Sequence, residues 1–190
     1  MRNPRLTLLP TLIVLMPLFP TLWPFLSFGG SGTGARPNRA VWQADACGLL
    51  TWSEIEAVQG EPVTAVKESL PDRPAFSVAQ CFYTLAQFSK SVSVELVTRN
   101  AGDPNQETPR ERWRKRFHEG ATSEDEEGAR PPRPVPGLGD EAFWTGNAVT
   151  GGLYVLKGDA YLRIGVGGPG DESVKLERAA RLARNALARL

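Results

Sequence analysis

Hydrophobic and polar positions follow three rhythms along the chain. Leu6 to Phe28 runs uncharged, with prolines at Pro10, Pro17, Pro20 and Pro24, and Arg2 and Arg5 precede it. A charged start followed by an apolar stretch is the pattern of an export signal. Its length equally suits a membrane anchor. Four prolines at this spacing exclude a buried soluble helix. Thr33-Gly34-Ala35 offers a cleavage site, so residues 1–35 read as a signal peptide or an anchor, with membrane contact through residues 6–28 if uncleaved. Residues 36–44 form a linker, and 45–190 a single exported domain.

Within that domain, Thr51-Trp52-Ser53-Glu54 is a capping box between the apolar neighbours Leu50 and Ile55, and Gly60 supplies a left-handed stop. A helix over Trp52–Gln59 follows. Val63–Glu68, Val78–Leu85 and Ser91–Thr98 read as strands. Alternation sets Ala79, Cys81, Tyr83 and Leu85 on one face, and turns Val92, Val94, Leu96 and Thr98 inward. Thr108-Pro109-Arg110-Glu111 repeats the capping logic with proline first, opening a second helix striped by Trp113 and Phe117. Gly120–Pro136 reads as a loop. A strand near Glu141–Thr145 and a hairpin over Leu153–Val166 come next, turning at Gly158-Asp159. That turn pairs Val155 with Leu162 and Leu153 with Ile164 on the core face, and Tyr154 with Arg163 on the other. A last helix over Glu172–Leu190 places Leu176, Ala179, Ala180, Ala183, Leu187 and Leu190 on one stripe. The expected class is α+β: a mainly antiparallel sheet of about five to six strands carrying three helices.

Composition narrows the function. The 190 residues hold 22 basic and 21 acidic side chains, a balance that gives no electrostatic reason for nucleic acid as a partner. Two cysteines and one histidine exclude a zinc finger or haem motif, and no cofactor is expected. If the domain is exported, Cys47 and Cys81 have one connectivity within the chain and form a disulfide. Reduced core cysteines and intermolecular pairing are the alternatives.

Few signals carry chemistry. Gly165-Val166-Gly167-Gly168-Pro169-Gly170 matches a dinucleotide fingerprint, but only 20 residues follow it, so it reads as a strand-to-helix turn. Arg110, Arg112, Arg114, Lys115 and Arg116 form a basic run around Trp113 that phosphates, lipid headgroups or an acidic partner could meet. Seven acids between Glu107 and Glu127 partly neutralise it. His118 reads as a surface residue at a helix end. Asp140 and Glu141, beside Trp144, are the only paired carboxylates with a hint of hydrolytic chemistry. The five basic residues with Asp140 and Glu141 make the candidate interaction surface; no catalytic, cofactor or metal residue is assigned.

Asp45-Ala46-Cys47-Gly48-Leu49-Leu50-Thr51, Gln80-Cys81-Phe82-Tyr83 and Pro136-Gly137-Leu138-Gly139-Asp140-Glu141-Ala142-Phe143 resemble the exported lipoprotein-like domains of unknown function of actinobacteria, the domain-of-unknown-function 3558 type. Sensor ectodomains of mycobacterial receptor kinases are related to them. The resemblance implies an exported α+β domain with paired cysteines at the cell envelope, and no catalytic residues. The chain differs in lacking a lipid-attachment cysteine. The resulting expectation is a non-catalytic envelope binding or accessory module, presenting a sheet face or the 120–136 loop to an envelope protein or polymer. The alternatives are an envelope hydrolase acting on wall polymer or an ester, and a membrane-surface protein using its basic helices.

Overall fold

A computed structural model describes residues 45–69, 76–99, 107–119, 131–147 and 149–190. The leader, the 36–44 linker and most of the loop read over 120–136 lie outside the described residues. Among the described residues no helix is long and apolar enough to cross a membrane.

The strands are β1 (Val63–Ser69), β2 (Phe76–Leu85), β3 (Val92–Arg99), β4 (Arg133–Pro134), β5 (Glu141–Gly146), β6 (Gly151–Lys157) and β7 (Ala160–Val166). They form one antiparallel sheet in the order β1-β2-β3-β7-β6-β5-β4. The class is the expected α+β, with one or two more strands than expected. The extra strand, β4, lies in the proline-rich stretch read as loop. Pro134 has no N–H to give, and an edge strand tolerates that. The hairpin register is the expected one: Val155 faces Leu162, Leu153 faces Ile164 and Tyr154 faces Arg163.

Two helices cover one face of the sheet. Helix α1 (Trp52–Gln59) starts on its capping box, with Thr51 Oγ1 accepting from the Glu54 amide at 3.3 Å and Glu54 Oε2 accepting from the Thr51 amide at 2.8 Å. Gly60 closes it at φ +68°. Helix α3 (Glu172–Leu187) lies against β6 and β7 through Ala179, Ala183 and Ala186, whose small side chains allow close approach. It ends three residues earlier than the stripe predicted, and Leu190 is exposed. Leu182 joins the buried set instead. Arg189 ties the two helices together, its Nη2 lying 2.9 Å from Glu54 Oε1 and its Nη1 donating to the Leu49 carbonyl at 3.0 Å.

Cys47 and Cys81 form a disulfide with Cα atoms 5.1 Å apart. Cys81 shares the buried face of β2 with Ala79, Tyr83 and Leu85. The bond therefore fastens the turn before α1 to the sheet. Beside it, the Tyr83 hydroxyl donates toward the Cys47 and Leu50 carbonyls at 2.9 and 3.1 Å. Burial, followed by the charges of Asp45 and Glu54, pushes this phenol up to about 12.

Candidate functional site

The opposite face of the sheet is covered unequally. Helix α2 (Pro109–Arg114) opens on a second capping box, Thr108 with Glu111, and continues as a π-helical turn over Lys115–Glu119. It seats Trp113 and Phe117 on Val97, Tyr154, Leu156 and Tyr161, in a cluster separate from the main core. Phe117 stacks on Phe143 with ring centroids 4.8 Å apart.

Trp113, in α2, and His118, in the π turn, both reach one oxygen of Glu141: Trp113 Nε1 donates to Oε2 at 2.6 Å, and His118 Nε2 lies 3.0 Å from the same atom. Burial alone raises the Glu141 carboxyl. The hydrogen bonds from His118 and Trp113, joined by the charges of His118 and Arg110, nevertheless hold it below its ordinary value. Sequence spacing hid this pair, because 23 positions separate its members. The neighbouring Asp140 does a different job. Its Oδ2 accepts from Arg110 at 2.7 Å and from the Gly158 amide at 3.0 Å, tying α2 to the β6–β7 turn. The two carboxylates are thus committed to different partners.

Most of the basic run is neutralised locally. Arg110 pairs with Asp140, Arg112 and Lys115 with Glu107, and Arg114 with Glu119. Arg116 departs from this pattern. It lies over Tyr154 with Cζ 4.5 Å from the ring centroid, and its Nη2 donates to the Tyr154 hydroxyl at 2.9 Å. The glycine-rich segment is a strand-to-helix turn, as expected. Asp171 caps α3 by accepting from the Val174 amide at 3.0 Å, so the chain's own carboxylate occupies the helix end a phosphate would need.

Beyond α2 the same face carries polar and aromatic side chains that no described helix covers. Strand pairing sets them in rows. Ser69, Gln80, Glu95, Arg163 and Tyr154 follow one another across β1, β2, β3, β7 and β6. Lys67, Phe82, Ser93 and Gly165 form the row beside it. A shallow cleft of about 560 Å³ opens over Lys67, Ser69, Gln80, Phe82, Ser93, Glu95 and Arg163. Phe88 stands near Phe82, ring centroids 6.0 Å apart, and is 68% exposed. The alternation of β2 and β3 placed these residues on the outward face, but the uncovered cleft depends on where α2 stops, which periodicity does not encode.

No family model matches the chain, and no match is found among the curated proteins or the solved structures.

Proposed function

We propose that the chain is an exported, non-catalytic binding module of the cell envelope, and that it meets its partner on the half of the outer sheet face that no described helix covers. The observation that carries this reading is the cleft over β1, β2, β3 and β7, which gathers polar groups and Phe82, with Phe88 beside that ring, where a fully packed sheet face has another layer. Export is supported by the leader pattern and by the Cys47–Cys81 bond, a cross-link that persists in oxidising compartments. The resemblance to the envelope domains points the same way.

The hydrolase alternative draws less support from the geometry. A general acid needs a raised carboxyl, whereas Glu141 is held low and Asp140 anchors a turn. The test is co-sedimentation of the purified full chain with insoluble wall polymer, alongside Gln80→Trp, which fills the cleft from an exposed strand position. The wild-type chain is expected to sediment with the polymer, and the variant to bind at least tenfold more weakly with an unchanged circular dichroism spectrum. Equal binding by both, or release of soluble fragments that stops in Glu141→Gln, would overturn the reading.

A further inference from the structure

Arg163 stands opposite Glu95 across β3 and β7, on the same face of the sheet. That is the arrangement of a cross-strand ion pair, yet the pair does not form. Glu95 Oε2 accepts instead from Gln80 Nε2 at 2.9 Å. The Arg163 side chain folds the other way, into space left open by glycines. A Cβ at Gly152 would lie 2.9 Å from Arg163 Nε and 3.2 Å from its Cζ, and one at Gly165 would lie 3.6 Å from its Nη1. The guanidinium is also 5.7 Å from the centroid of Tyr154, the ring that Arg116 covers at 4.5 Å. Neither arginine has a carboxylate within ion-pair distance among the described residues, whereas Arg110, Arg112 and Arg114 all do. Two cations share one ring, and one of them forms a wall of the open cleft.

We propose, resting on the binding reading above, that this cleft takes an acidic sugar, with its carboxylate on the Arg163 guanidinium. The planar fork of an arginine matches a carboxylate with two parallel hydrogen bonds. The Gln80–Glu95 pair and the Ser93 hydroxyl present donors and acceptors to ring hydroxyls. Phe82, with Phe88 beside it, offers an apolar face to the ring's C–H groups. The volume falls within the range of small-molecule clefts. Lys67 also lines the cleft and offsets the charge of Glu95. Selectivity over phosphate therefore comes from the ring: inorganic phosphate has no sugar hydroxyls for Gln80, Glu95 and Ser93 and no C–H face for Phe82.

The test is an NMR titration of the purified full chain with sodium glucuronate, with glucose and inorganic phosphate as comparisons. Glucuronate is expected to give saturable shifts at the Arg163 Nε–H and at the Ser93 and Gly165 amides, with glucose and phosphate at least tenfold weaker. Arg163→Gln should weaken glucuronate at least tenfold. Gly152→Ala, which displaces the guanidinium while keeping its charge, should weaken it several-fold, and Arg133→Gln, remote from the cleft, should change nothing. Undiminished binding by Arg163→Gln, glucose binding as tightly as glucuronate, or tighter binding of phosphate would each overturn the assignment. If glucuronate does not bind but wall polymer still sediments the chain in a Gln80-dependent way, the sugar assignment fails and the binding reading stands.

Discussion

Single side chains hold the two faces of the sheet in different ways. On the disulfide side, one phenol serves two carbonyls and stays protonated through the whole neutral range. On the α2 side, one carboxylate oxygen receives both an indole N–H and an imidazole. The Glu141 arrangement has a pH signature with a definite sign. Its folded-state carboxyl lies below the unfolded value, so the native state binds fewer protons in acid. The stability it contributes is fully present above the ordinary carboxylate range and is lost as pH falls through the depressed folded value. Urea unfolding midpoints followed from neutral into acid should therefore fall less steeply in Glu141→Gln than in the wild-type chain. Parallel curves would mean that the Trp113 and His118 contacts do not hold the carboxylate. Nothing in the sequence marks this site beyond Glu141 itself, since the residues that meet there come from distant segments. The π turn that delivers His118 has no periodicity signal in so short a helix.

Among the elements, those with strong local chemistry were legible and those defined by tertiary contact were not. Both capping boxes form as Thr51-Glu54 and Thr108-Glu111 indicate. The Gly158-Asp159 turn sets the hairpin register residue by residue, because a two-residue loop fixes the pairing and a one-residue slip would carry Leu153, Val155, Leu162 and Ile164 off the core face. β4 escaped detection, because two residues of an edge strand carry no pattern. The early end of α3 escaped for a related reason: a leucine spacing that continues to Leu190 cannot show where the carbonyls find other partners, such as Lys157 Nζ at 2.6 Å from the Leu187 oxygen. Among the described residues, the length of α2 decides how much of the outer sheet face is covered. This helix has only six α-helical residues before the π turn, so its start is a large share of its stability. Thr108→Ala is expected to cost about 1 kcal/mol, and to raise amide exchange in α2 more than in α1 or α3. Uniform exchange across all three helices would show that α2 is held by its aromatic seat alone.

At the scale of the whole molecule, the described residues close the sheet on one side with α1 and α3 and cover about half of the other with α2. The two hydrophobic clusters are the two sides of that sheet. The disulfide ties the turn before α1 to β2 across 34 positions. In the chain-entropy account, opening such a loop costs about 4 kcal/mol. Cys47→Ser with Cys81→Ser should lower the urea-derived unfolding free energy by about that amount, and a loss well under 1 kcal/mol would show that Tyr83 and the core hold the junction without it. The sheet order was not legible, because pairing β3 with β7 is a long-range choice that adjacent-strand patterns leave open. That pairing brings Arg163 beside Glu95 and builds the open face. The central proposal, that this face and not the Glu141 cluster meets the partner, is tested most directly by a residue-resolved footprint. Amide shifts of the full chain on adding soluble wall-polymer fragments should cluster at Gln80, Phe82, Ser93, Glu95 and Arg163, with the fragments recovered intact. Shifts centred on Arg110, His118 and Glu141, with the fragments cleaved, would contradict it.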